Sequence, residues 1–346
     1  MRPIFSPALV NDPFGDPGLY VDFRFERRAL LFDLGDLAVL PPKKVLRISD
    51  VFVSHTHMDH FVGFDRLLRI TLGRDTGMRL YGPPGFIDRV EHKLAAYTWN
   101  LVENYPTDFV VTAWEVDPDW RVRGARFRCH RRFEREALPM RELREGVLLD
   151  EPAFLVRAAF LDHRTACLGF AVEEKTHINV WKNRLAELGL PVGPWLKDLK
   201  DAVRRGAADE TPVHARWRDR DGAHERTLAL GMLRSEVLRF VPGQKICYVT
   251  DVLYHEDNAR RVAALATDAD LLFIECVFLD EDREHAARKC HLTARQAGGI
   301  ARAVRARVVV PFHFSPRYAD RENDLRGELE AARTANDERG TGNRVE

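Results

Sequence analysis

Six short apolar runs rich in β-branched or aromatic residues recur along the chain: ALLFDLG (29–35), VLRISDVFVSH (45–55), FLVRAAFLDH (154–163), KICYVTD (245–251), DLLFIECVF (270–278) and RVVVPFHF (307–314). Their length and composition predict buried strands. Most of them carry an Asp, His or Glu at or near the end, which places ligand-capable side chains along a sheet edge. Between the runs the spacing turns helical. TARQAGGIARAVRA (293–306), with Thr293 as its N-cap, and DHFVGFDRLLRITL (59–72) are the predicted helices. The alternation points to an α/β protein.

From 175 to 238 the apolar periodicity weakens and charges accumulate, as in WLKDLKDAVRRGAADE and RWRDRDGAHERT. This segment reads as an arm inserted into a main domain of residues 1–320. Residues 321–346 read as a charged tail that begins as a helix and ends frayed. YGPPGF (81–86) is a turn without a phosphate-loop pattern, and there is no internal repeat.

Composition narrows the choices. With 346 residues, 45% of them hydrophobic, the chain is long enough for a sizeable core. Lys plus Arg equals Asp plus Glu at 53 each, so no bulk charge draws it to nucleic acid, and such affinity must come from a local patch. Five scattered cysteines without a CxxC pair suggest neither a disulfide framework nor a cysteine metal cluster. The absence of a long apolar run leads us to expect a soluble, untargeted, cytoplasmic protein with no membrane association.

The densest chemistry is SHTHMDH, 54–60, directly after VFV. In extended or turn geometry His55 and His57 point the same way and reach one metal, while Asp59 and His60 face a second position. A purely structural role would leave several buried polar groups to satisfy without explaining their spacing.

HxHxDH resembles the signature of the metallo-β-lactamase fold, and the details are similar to its ribonuclease Z branch. Asp162, His163, Arg164, Gly169, Phe170 and Glu173 match the branch's DHR-like box, CHLTARQAG (290–298) its H-[ST]-T-A box, and HFSPRY (313–318) its C-terminal box. Gly193–Pro194 resembles the Gly-Pro segment near its substrate-gripping arm. The resemblance covers roughly residues 30–318. It implies an αββα sandwich with an inserted charged arm, metal ligands His55, His57, Asp59, His60, His163, Asp251 and His313, and a homodimer. Departures fall on substrate handling: C-G-E-G-T reads DLGDLA (33–38), the P-x-x-x-R-N loop is missing, H-E-A-T reads IECV (274–277) with Glu275 kept, and G-D-T reads TDV (250–252).

The chemistry that follows is phosphodiester hydrolysis by two Zn²⁺, with Mn²⁺ or Fe²⁺ compatible, sharing a bridging hydroxide as nucleophile. Asp59 would orient or deprotonate the attacking water. His291, not needed as a ligand, would donate to the leaving or non-bridging oxygen, with Glu275 fixing its tautomer; the alternatives are helix capping for His291 and an arginine partnership for Glu275. Asp33 and Asp162 are candidates to accept a ligand histidine's free N–H, or to cap turns. Ser315 and Arg317 are candidate phosphate contacts, unless Arg317 only binds the sheet's polar end. Read as a strand, RVRGARFRCHRRFER (121–135) aligns Arg126, Arg128, His130 and Arg132 on one face, either a phosphate contact or a charge-protected edge strand. His255 is expected in a loop, and His92, His177, His214, His224 and His285 at the surface. Three readings remain open: a ribonuclease Z-like enzyme acting on RNA, a hydrolase of a small phosphodiester such as a cyclic nucleotide or of an ester, and a non-catalytic metal-binding protein.

Overall fold

The computed structural model describes residues 4–75, 77–144 and 146–335. Strands Phe5–Leu9 (β1), Leu19–Phe23 (β2), Ala29–Phe32 (β3), Ile48–Phe52 (β4), Met78–Gly82 (β5), Val110–Val116 (β6), Arg121–Arg128 (β7) and Arg135–Glu142 (β8) form one sheet in sequence order. β3 to β6 run parallel, with antiparallel strands on either side. Strands Val147–Asp150 (β9), Phe154–Asp162 (β10) and Ala166–Glu174 (β11) belong to a second sheet. The chain then forms Thr176–Val180 (β12), Pro212–Asp219 (β13), Gly222–Ala229 (β14) and Leu238–Pro242 (β15). Lys245–Val249 (β16), Leu271–Glu275 (β17) and Val308–Phe312 (β18) complete the second sheet, whose order is β18-β17-β16-β11-β10-β9.

Period two explains how the layers stack. Phe32 and Phe52 from the first sheet meet Phe170 and Tyr248 from the second, with Phe32–Phe52 ring centroids 5.1 Å apart and Phe32–Phe170 5.5 Å apart. The alternate positions face helices. Leu31, Val51, Leu80 and Val111 pack with Phe64, Leu67, Phe86 and Val90 of helices Phe64–Thr71 and Phe86–Ala95. Cys247, Val249, Leu272 and Ile274 pack with Val262, Ala297, Ile300 and Leu325 of helices Glu256–Ala266, Ala294–Ala303 and Glu322–Thr334. The result is an αββα sandwich. Thr293 caps its helix through a reciprocal capping box with Gln296.

The charged tail begins with the expected helix, Glu322–Thr334, and Leu325 and Leu329 bury it in the helical layer, so this part belongs to the main fold; residues 336–346 of the expected tail lie outside the described residues. One boundary differs from the sequence reading. The charged arm spans 173–244 rather than 175–238, together with 149–155, in a separate compact unit. β15 pairs antiparallel with β12, and this extends the unit past Leu238. It has its own core of Trp195, Leu199, Val213, Leu230, Leu233 and Val237, which the surrounding charges concealed.

One close approach holds the short helix Met58–Phe61, which carries Asp59. Gly63 N–H donates to Leu34 O at 2.8 Å, and a Cβ at Gly63 would sit 2.1 Å from Gly35 O. Gly63→Ala is expected to cost about 1–3 kcal/mol of stability, read as a lower urea midpoint with an unchanged slope.

Candidate metal centre

The site lies where parallel strands end. Asp33 follows β3, Asp251 lies just beyond β16 and His313 follows β18, and all three adopt positive φ, at 58°, 39° and 62°. Non-glycine residues are rarely held so unless the surroundings enforce it, and such strain concentrates at functional sites. His55 and His57 sit in the turn after β4, and Asp59 and His60 in the short helix Met58–Phe61 that follows.

Asp251 is the hub. Its Oδ2 lies 3.2 Å from His163 Nε2 and 3.5 Å from His55 Nε2, while its Oδ1 lies 3.0 Å from His313 Nδ1 and 3.3 Å from His60 Nε2. Asp59 Oδ2 closes the second side, 3.4 Å from His313 Nε2 and 3.5 Å from His60 Nε2. Ligand atoms of His55, His57, His163 and Asp251 all fall within 4.8 Å of one another, as do those of Asp59, His60 and His313.

These residues fit metal ions. Among the described residues, His55 Nε2, His60 Nε2 and His313 Nδ1 are buried without a hydrogen-bond partner, an arrangement that is costly unless a cation occupies their focus. Burial, reinforced by the neighbouring His60 charge, holds the His55 pKa down to about 2, so its imidazole is neutral with a free lone pair. Burial also disfavours the His313 cation, yet the Asp251 carboxylate outweighs it and raises that pKa to about 10. Desolvation opposes the Asp59 anion too, but the His313 hydrogen bond and the His60 charge hold its pKa at about 2. The pocket therefore demands positive charge beside Asp251 and Asp59, which divalent ions supply once the imidazoles are deprotonated.

Outer contacts orient the ligand candidates. Asp33, fully buried, takes His60 Nδ1–H at 2.9 Å, the Ser54 amide at 2.6 Å, the Ser54 hydroxyl at 2.9 Å and the Tyr248 hydroxyl at 3.0 Å. His163 Nδ1 donates to Cys290 O at 2.9 Å, so the partner of His163 is a backbone carbonyl and not Asp162. Asp162 instead accepts the Arg164 amide in a turn, because its exposed side chain points away. Asp33→Asn is expected to lower metal affinity or turnover by about 10–100-fold, since an amide cannot accept from His60 and serve the other three donors equally. Metal titration followed by a rate measurement checks this.

Beside the hub, His291 Nδ1 lies 2.7 Å from Glu275 Oε2, and Glu275 Oε1 accepts the amides of Val252 at 2.9 Å and Leu292 at 3.0 Å. Glu275 thus has no arginine partner in these contacts, and it is Thr293 that caps the helix beside His291. Burial opposes the His291 cation, but Glu275 outweighs it and lifts the pKa above the ordinary imidazole value. Ser315 and Arg317 line the adjoining pocket with Asp59, His291 and His313. The Arg317 guanidinium is held by Asp282 at 3.0 Å.

The basic stripe does not survive folding. β7 lies between β6 and β8 and is no edge strand, and it ends at Arg128; residues 129–131 turn into a 3₁₀ helix. Arg126 faces Glu136 across the β7–β8 ladder. Arg128 pairs with Asp108 at 3.1 Å, Arg131 with Glu136 at 3.2 Å and Arg132 with Glu103 at 2.7 Å. His177 is likewise not a surface residue: it is buried against Glu174 at 2.7 Å. His255 caps helix Glu256–Ala266 by accepting the Asn258 amide.

Two stacked sheets flanked by helices, with this histidine–aspartate cluster at their strand ends, define a metallo-β-lactamase-fold protein. A family model described as a β-lactamase superfamily domain matches residues 205–314. Ribonuclease Z of Deinococcus radiodurans is 34% identical over 334 residues, 95% of this chain and 95% of that protein, and the chain belongs to the ribonuclease Z family. Ribonuclease Z of Treponema pallidum is 26% identical over 86% of this chain and 81% of its own. Among solved structures, the short form of human tRNase Z matches with TM-score 0.50 and 21% identity, covering 91% of this chain and 93% of its own. The metallo-β-lactamase-fold protein YhfI of Bacillus subtilis matches with TM-score 0.52 and 14% identity over 94% and 92%. Both structural likenesses reflect the fold. No helix among the described residues is long and apolar enough to cross a membrane.

Proposed function

We propose that the chain is a dinuclear, zinc-dependent phosphodiesterase that cleaves RNA as an endoribonuclease, including RNA 3′ processing, in the cytoplasm and as a homodimer. The observation that carries this reading is the division of Asp251, one carboxylate oxygen toward His55 and His163 and the other toward His60 and His313, in a chain related throughout its length to a ribonuclease Z. His55, His57, His163 and Asp251 would hold one ion, and Asp59, His60, Asp251 and His313 the second. Bound there, the ions supply Lewis-acid polarisation of the phosphoryl group and an activated water.

The protein's own groups do the rest. Asp59 orients the attacking water and takes its proton. The water oxygen bonds to phosphorus as the P–O bond to the leaving group breaks. His291, kept protonated by Glu275, delivers its proton to the departing oxygen, so no free alkoxide forms. Glu275 anchors that imidazole while its other oxygen is fixed by two backbone amides.

Removing metal by chelation is expected to abolish RNA hydrolysis, and adding back Zn²⁺ to restore it; activity that persists in fully stripped protein would sink the proposal. A second reading, hydrolysis of a small phosphodiester, draws support from Arg128, Arg131 and Arg132 being paired with acids and from the zero net charge. Comparing kcat/KM for RNA with that for bis(p-nitrophenyl) phosphate separates the two.

A further inference from the structure

A pocket of about 390 Å³ opens beside Asp59, His291 and His313, at the lower end of the range of about 300–1,000 Å³ usual for small-ligand sites. One wall carries Phe14, from the loop that joins β1 to β2. Phe14 meets Phe314 edge-on at 5.3 Å, and Phe314 N–H is tied to Pro13 O at 2.7 Å, so the loop is anchored to the strand end that bears His313. Asp16, the acid on this wall, is occupied by the Asp36 amide at 3.0 Å. The other wall carries His285 and Lys289 from helix Arg283–Lys289.

The cations differ in availability. Arg317 is spent on Asp282 and lies over the Phe278 ring at 5.8 Å. Lys289 is exposed and has no ion-pair partner among the described residues. The backbone that carries it is nonetheless fixed. Cys290, at φ 64°, ends the helix, the His291 amide returns to Ala286 O at 3.0 Å, and Cys290 O holds His163. The backbone after Lys289 is therefore bolted to the metal centre on one side and to His291 on the other.

We propose that Lys289 and Phe14 form the subsite for the nucleotide next to the bond being cut, Lys289 on its phosphate and Phe14 against its base. This rests on the RNA-cleaving reading above. A lysine–phosphate contact supplies affinity and register without reading sequence. An aromatic platform accepts any base.

The test is steady-state cleavage of an RNA with a 3′ extension, over a range of salt, by the metal-loaded protein and by K289Q, K289R and F14L; bis(p-nitrophenyl) phosphate, with no neighbouring phosphate, is the comparison substrate. K289Q is expected to raise KM for RNA about tenfold with kcat held within about twofold, and to flatten the log–log salt dependence by about 0.7, the slope of one single-strand phosphate contact. K289R should recover most of this, and F14L, which keeps bulk but not the ring, should raise KM for RNA independently. The effect of K289Q on the RNA should exceed that on the small diester about fivefold or more. Wild-type values of KM and salt slope for K289Q in a protein that cleaves RNA overturn the subsite alone, as does a fall confined to kcat. A metal-loaded wild type that turns over the small diester but leaves RNA intact overturns the RNA reading, and the subsite with it.

Discussion

Asp251→Ala is expected to remove metal and activity together. Asp251 is almost fully buried, and its two oxygens face four imidazoles on two sides, so no neighbour replaces it. Without it both ion positions lose their shared ligand, and the cationic forms of His60 and His313 lose the carboxylate that raises their pKa values. Removing an outer contact alone costs about 10–100-fold, and loss of the shared ligand should lower kcat/KM by about four orders of magnitude or more. Asp251→Asn, equal in shape, separates charge from packing: it should still unfold in one cooperative transition, yet retain little metal. Elemental analysis of both variants beside their rates checks the claim, and a variant with full metal and full rate contradicts it.

His291→Ala has the second largest expected effect, and a different signature. In the proposed mechanism its ring holds a proton rather than a metal, so metal content should persist while kcat falls by about 10²–10⁴, the usual contribution of a positioned acid. The pH profile carries the sign. Glu275 raises the His291 pKa against burial, so the proton-bearing form that donates to the leaving group is lost as pH rises through that raised value, and the rate falls on the alkaline side. Glu275→Gln removes the charge responsible while its amide oxygen still accepts the Val252 and Leu292 amides. Its alkaline limb is therefore expected to move to lower pH with metal retained. An unmoved limb in Glu275→Gln, or a wild-type kcat in His291→Ala, would remove the general acid from the account.

What the sequence makes legible is what local pattern determines. The apolar runs ending in His or Asp form strands because burial on both faces requires continuous hydrophobic residues, and their ends converge because parallel strands place like ends side by side. The contacts that tune the cluster are tertiary and leave no local mark. Ser54 stands within the quoted motif, but its tie to Asp33 depends on β3 lying beside β4. Tyr248 reaches Asp33 only across the two sheets, and the Cys290 carbonyl finds His163 through a helix end. Arg128 and Arg132 look like part of a phosphate stripe in one dimension because their acids, Asp108 and Glu103, come from the segment before β6. The arm conceals its core for a related reason. Trp195, Leu199, Leu230 and Leu233 each keep helical spacing within a short helix, and flanking charge masks a pattern only two turns long.

The most direct test is to incubate purified protein of measured metal content with a tRNA precursor carrying a 3′ trailer, alongside Asp59→Ala. The account predicts two metal ions per chain and cleavage at one discrete position, lost in Asp59→Ala. Intact precursor in the presence of two bound ions, or equal cleavage by Asp59→Ala, would contradict it.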